Sequence, residues 1–127
     1  MRILIVEDEL DMLACLRSYF SERGHTVLTA STTEEALQIL NRVTPDLAFV
    51  DLQLPVGSGR LVVQAIMSRQ LPTRVIVMTG SVDLGLRKEL LACGVSDYLF
   101  KPVSLRELEA FATPPTPSVS DLPLGSA

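Results

Sequence analysis

The sequence predicts an α/β protein: a doubly wound five-stranded parallel sheet with five helices. Two observations carry that reading. Short β-rich runs alternate with longer segments of helical period, five of each, which is the pattern of parallel strands joined by crossover helices. The strongest runs are almost continuously apolar, as in strands buried on both faces. Right-handed crossovers then leave the doubly wound sheet as the simplest topology.

Each element has its own signal. Arg2 to Val6 is the first strand. Between Glu9 and Arg23, Leu10, Leu13, Leu16 and Phe20 recur at helical steps, and Gly24 suits the end of that helix. A weak strand covers Thr26 to Thr29. Thr32 or Thr33 caps a helix running to about Arg42, with Glu34 and Glu35 in its favourable first turn. Pro45 precedes a strand from Leu47 to Val50 that ends at Asp51. A loop with Pro55 and Gly57 leads into a helix from about Ser58 to Arg69, packed through Leu61, Ala65 and Ile66 or Met67. Arg74 to Met78 is a strand ending at Thr79. Val82 to Cys93 is helical, weakened by Gly85 and closed by Gly94. Asp97 to Phe100 is the last strand, followed by Lys101 and Pro102. Ser104 caps a final helix, Leu105 to about Ala112. Residues 113–127 hold four of the eight prolines and read as a flexible tail or linker, so the ordered domain is 1–112.

Composition narrows the function classes. The 127 residues carry a net charge of −4. That disfavours nucleic acid or an anionic membrane as the main partner, because both attract a basic face. No apolar run approaches a membrane span or a signal peptide, and the expected location is the cytoplasm. Cys15 and Cys93 form no CxxC pair and read as buried thiols in a reducing compartment. His25 reads as a surface residue, and Met12, Met67 and Met78 as packing residues.

The chemistry lies where the strands end. Ligands of such sheets bind beyond the carboxyl ends of the strands. There the chain places Glu7-Asp8-Glu9, Asp51, Thr79 and Lys101. Clustered carboxylates repel, and a hard divalent cation relieves them; Mg²⁺ is held by one or two carboxylates together with phosphate oxygens. Lys101 can pair with Asp51 or a phosphate oxygen, and Thr79 offers a hydroxyl. Asp51 is the candidate nucleophile toward phosphorus.

At these residues the sequence resembles the receiver domain of bacterial two-component response regulators. The stretches ILIVEDE, PDLAFVDLQLP with a following Gly59, VIVMTG and DYLFKP stand in the family's order and spacing. The resemblance implies a flavodoxin-like receiver fold with strand order 2-1-3-4-5. It implies that Asp51 accepts a phosphoryl group from a histidine kinase or histidine phosphotransfer protein, and that Glu7, Asp8, Asp51 and the main-chain carbonyl of Gln53 hold Mg²⁺. Thr79 matches the switch hydroxyl, Lys101 the family's lysine and Tyr98 the switch aromatic. The Lys101-Pro102 bond is expected to be cis. Phosphorylation would then change the face made by the fourth helix, fifth strand and fifth helix, through Arg87, Lys88, Tyr98, Arg106 and Glu107, to control an output domain or protein. Self-phosphorylation and autodephosphorylation make a switch, not a turnover enzyme.

Three positions depart from the family's commonest pattern. The acidic pair is Glu-Asp, Gly80 follows Thr79 where alanine is usual, and the final helix is short before Pro114, so any phosphorylation-dependent dimer is expected to be weak. Rival readings fare worse. A Mg²⁺-dependent aspartyl-phosphate phosphatase needs an acid two residues after the nucleophile, where Gln53 stands. A flavodoxin-like cofactor binder needs a phosphate loop where Glu7-Asp8-Glu9 repels phosphate. A receiver-like interaction module that is never phosphorylated is disfavoured by the intact residue set.

Overall fold

A computed structural model describes residues 1–54, 57–81 and 83–112. Ten elements alternate: β1 (Arg2–Val6), α1 (Leu10–Glu22), β2 (Thr26–Ala30), α2 (Thr33–Leu40), β3 (Leu47–Asp51), α3 (Gly59–Ser68), β4 (Arg74–Thr79), α4 (Leu84–Ala92), β5 (Asp97–Phe100) and α5 (Leu105–Ala112). The five strands form one parallel sheet in the order β2-β1-β3-β4-β5. The expected fold class is therefore the observed one. The expected tail at 113–127, Pro55 and the helix start at Val82 lie outside the described residues.

Strand side chains alternate between the two faces, and the core divides accordingly. Ile3, Ile5, Leu47, Phe49, Ile76 and Met78 pack with Leu13, Leu16 and Phe20 of α1 and Leu108 and Ala112 of α5. Leu4, Val6, Ala48, Val50, Val75, Val77 and Tyr98 pack on the opposite face with α2, α3 and α4. Each fully buried Leu, Ile, Val or Phe contributes about 1.5–3 kcal/mol. β3 is central and buried along its whole length, which makes its last residue, Asp51, the most deeply seated of the strand-end groups.

Caps fix the helix starts. The Thr32 hydroxyl accepts the Glu35 N–H, the Ser58 hydroxyl the Arg60 N–H, and Asp83 the N–H groups of Gly85 and Leu86. Ser104 and Glu107 form a reciprocal capping pair at α5.

Several expectations need correction. Leu10 is 68% exposed, because the first turn of α1 extends beyond the core and the helix packs from Met12 and Leu13 onward. Leu61 is 50% exposed, since the buried stripe of α3 is Val62, Val63 and Ile66 and a one-residue offset turns a side chain by about 100°. Cys15 and Cys93 are both exposed; Cys15 falls off the α1 stripe and Cys93 caps the end of α4. Helix α2 stops at Leu40, two residues short of Arg42.

Candidate functional site

Register brings the strand ends together. Val6 pairs with Val50, so Glu7 and Asp51 follow at the same level on adjacent strands. Asp51 lies opposite Met78, and Thr79 opposite Phe100, the residue before Lys101. Continuing the strand alternation, Glu7, Asp51 and Lys101 fall on the α1/α5 side and Thr79 on the other.

Lys101 Nζ lies 2.7 Å from Asp51 Oδ2 and 3.4 Å from Glu7 Oε2. Asp51 Oδ1 accepts the Gln53 N–H at 2.9 Å, and Glu7 Oε1 accepts the Glu9 N–H at 3.2 Å. Glu7 and Asp51 are buried, while Asp8 is half-buried and Glu9 exposed. Burial first, and then the negative charge of Asp51, push the Glu7 carboxyl above its ordinary value; the Glu9 amide and Lys101 pull it down without cancelling the rise. Burial works against the Lys101 ammonium. Its hydrogen bond to Asp51 and the charges of both carboxylates outweigh that and raise its pKa.

The cluster has the character of a hard-cation site. Carboxylate oxygens of Glu7, Asp8 and Asp51 lie within 4.8 Å of one another. Glu7 Oε2 is buried and, among the described residues, has no hydrogen-bond partner. Two buried carboxylates against one lysine leave negative charge uncompensated, and all-oxygen donors of this kind suit Mg²⁺.

The backbone around Asp51 is held from both flanks. A Cβ on Gly59 would come 2.1 Å from the Asp51 carbonyl oxygen, so α3 starts directly against the end of β3. At Gly57, φ is +86° and a Cβ would meet Thr33 Oγ1 at 2.3 Å. The buried Thr33 hydroxyl donates to the Ser58 carbonyl and accepts the Ser58 N–H.

On the β4 side, Thr79 is 1% exposed and its Oγ1 accepts the Ser81 N–H at 3.1 Å. Tyr98 is buried and its hydroxyl donates to the Ser81 carbonyl at 3.4 Å. Gly80 donates its N–H to the side-chain Oε1 of Gln53 at 3.1 Å. Lys101-Pro102 is cis, as expected.

Of the residues singled out from the sequence, Glu7, Asp8, Asp51 and Lys101 come together in one strand-end crevice, Gln53 joins them through its N–H, and Thr79 and Tyr98 are tied to the loop after β4 through Ser81. Sequence reasoning missed Thr33 as the clamp on Ser58 and the Gln53 side chain as a bridge to Gly80. Neither has a local signal, because each joins loops from different strands. His25 lies away from this crevice, with Nδ1 3.2 Å from the N-terminal amine. Among the described residues, no helix is long and apolar enough to cross a membrane.

Comparison with known proteins agrees with this geometry. The family model of the response regulator receiver domain matches residues 3–113. The two-component response regulator PhoP of Pseudomonas aeruginosa is 34% identical over 110 residues, covering 87% of this chain and 49% of that protein. A CheY-like response regulator receiver domain protein from Methanospirillum hungatei superposes with a TM-score of 0.79 at 30% identity, over 87% of this chain and 89% of that one. The response regulator TrrA of Thermotoga maritima, solved in complex with Mg²⁺-BeF, gives a TM-score of 0.73 at 28% identity, over 87% and 95% of the two chains. The chain spans less than half the length of the curated relatives it matches.

Proposed function

The chain belongs to the response regulator receiver domain family, and on that premise we propose that it is a phosphorylation-controlled switch with Asp51 as the phosphoacceptor. The observation that carries the reading is the Asp51 carboxylate, fully buried at the end of β3, with Lys101 Nζ at 2.7 Å and Glu7 and Asp8 clustered around it.

In the proposed reaction, a carboxylate oxygen of Asp51 forms a bond to phosphorus. The P–N bond to a donor imidazole breaks, and the imidazole leaves neutral after taking up a proton. With acetyl phosphate, a P–O bond breaks and acetate leaves. Glu7, Asp8, Asp51 and the main-chain carbonyl of Gln53 would hold Mg²⁺. When bound, the ion supplies positive charge against the developing charge of the phosphoryl group. Lys101 adds an ammonium 2.7 Å from Asp51 Oδ2. Thr79 uses its oxygen to accept from Ser81, so its own proton remains for a phosphoryl oxygen. Gln53 stands where a phosphatase would need an acid, and its carboxamide has no acidic proton. The chemistry is therefore self-phosphorylation and hydrolysis of one aspartyl phosphate, not turnover.

The phosphoryl donor would be a histidine kinase or a histidine phosphotransfer protein. The aspartyl phosphate, with a charge of about −2 in place of the carboxylate's −1, would bias Thr79, Ser81 and Tyr98, and through them the exposed face carrying Arg87, Lys88, Arg106 and Glu107. That face would act on an output domain or protein in the cytoplasm, with a weak dimer at most. Residues 1–112 form the receiver unit in this reading.

Intact mass after incubation with acetyl phosphate and Mg²⁺ tests it, beside Asp51→Asn. A base-labile phosphoryl adduct that requires Mg²⁺ and vanishes in the variant is the expected result. A folded wild type with no adduct under rapid trapping would replace this reading with a phosphorylation-independent interaction module.

A further inference from the structure

We propose that the Gln53 side chain is a latch on the Gly80 amide, holding the loop after β4 in its resting position and opposing activation until an anion on Asp51 takes its place. The inference rests on the phosphoacceptor reading above. Gln53 touches the site twice. Its backbone N–H donates to Asp51 Oδ1 at 2.9 Å, and its side-chain Oε1 accepts the Gly80 N–H at 3.1 Å. One residue therefore spans from the nucleophile to the neighbouring strand end, and Gly80 lies within a glutamine's reach of Asp51. Both Gln53 and Gly80 are exposed, so the bond faces solvent and is accessible to an incoming group.

Gly80 is coupled to the residues on either side of it. These are Thr79, whose Oγ1 accepts the Ser81 N–H, and Ser81, whose carbonyl receives the Tyr98 hydroxyl. Releasing the Gly80 amide frees the segment that carries both contacts. Glycine also gives the latch its room: a Cβ at this position would stand 3.3 Å from Gln53 Oε1. The exchange is chemically one-sided. The resting acceptor is a neutral carboxamide oxygen, whereas a phosphoryl oxygen is charged, and charge-assisted hydrogen bonds are about twice as strong. Gln53 thus acts as a positioning residue that weakens the anion-bound state by competing for one donor.

Gln53→Met keeps the side-chain length and the main-chain carbonyl but removes the acceptor; Gln53→Ala also removes the bulk. Two readouts are taken on the whole chain. Without metal, Gly80 amide hydrogen exchange is expected to quicken in both variants while the Gly94 amide is unchanged. With Mg²⁺, beryllofluoride affinity, followed on the Thr79 and Gly80 amide resonances, is expected to tighten about two- to fivefold in both, the scale of one exposed hydrogen bond. Unchanged or weaker affinity in Gln53→Met overturns the latch, as does unchanged Gly80 exchange. Tightening in Gln53→Ala alone also overturns it, by assigning the effect to bulk. A wild type that binds no beryllofluoride overturns the phosphoacceptor reading and the latch with it; wild-type binding with unaltered variants overturns the latch alone.

Discussion

Lys101 Nζ sits 2.7 Å from Asp51 Oδ2, joining two residues fifty positions apart across the C-terminal edge of the sheet. The ammonium also reaches Glu7 Oε2 at 3.4 Å, so a single cation stands between two buried carboxylates.

Replacing Lys101 with Met leaves those carboxylates facing each other. Removing one partner of a buried pair costs about 3–5 kcal/mol in general. The Lys101 side chain is 28% exposed, so water softens the loss to about 2 kcal/mol. Urea denaturation in EDTA is the measurement, and saturating Mg²⁺ is expected to restore part of the difference. An unchanged midpoint in EDTA would show that the lysine does not offset the carboxylate repulsion.

Glu7 makes the metal-free protein sensitive to pH. Its folded pKa is raised by burial and by Asp51, so the native state binds its proton more tightly than the unfolded chain does. The contribution of Glu7 to stability is full below the unfolded value of 4.5 and is lost as pH rises through the raised folded value. Denaturation midpoints of wild type are expected to fall across that window. Glu7→Gln is expected to flatten the slope, raise metal-free stability near pH 7 and weaken Mg²⁺ binding. A slope identical in the variant would assign the titration to another group.

The supports of Asp51 are predicted to be unforgiving. Gly59→Ala drives a Cβ to 2.1 Å from the Asp51 carbonyl oxygen. Neither backbone can retreat cheaply, and a loss of about 3 kcal/mol or more is expected. Thr33→Val leaves the part-buried Ser58 N–H and carbonyl without this partner and is expected to cost about 1–2 kcal/mol, with Thr33→Ser within about 1 kcal/mol of wild type. Thermal and urea unfolding of the three variants, beside the Mg²⁺ dissociation constant, check the order.

Phe100 packs edge-on against Tyr98, with centroids 5.5 Å apart and an interplanar angle of 72°. Phe100→Ala removes a contact worth about 0.5–1.5 kcal/mol and is expected to increase motion of the Tyr98 ring, read from its NMR relaxation. Tyr98→Phe loses only a 3.4 Å hydrogen bond to Ser81, and a cost below about 1 kcal/mol is expected. A larger loss from Tyr98→Phe than from Phe100→Ala would reverse the assignment of what holds this ring.

The sequence by itself determined the order of the elements, the parallel sheet and the strand-end residues Glu7, Asp8, Asp51, Thr79 and Lys101, whereas Gln53 and Tyr98 came only from the family resemblance. The former follow from local periodicity: apolar runs such as ILIV and LAFV ask for burial on two faces, and the polar residue that ends each run must then sit at a sheet edge. It was less informative about helix faces. Leu10 and Leu61 are as apolar as Leu13 and Val62, and only contact with the sheet decides which of them is covered. The tertiary structure alone decided that Glu7 lacks a full partner, that Thr33 clamps Ser58 and that Gln53 reaches Gly80. Each of these depends on the separation of loops that leave different strands. That separation is set by strand register and helix packing, and no local run of residues encodes it.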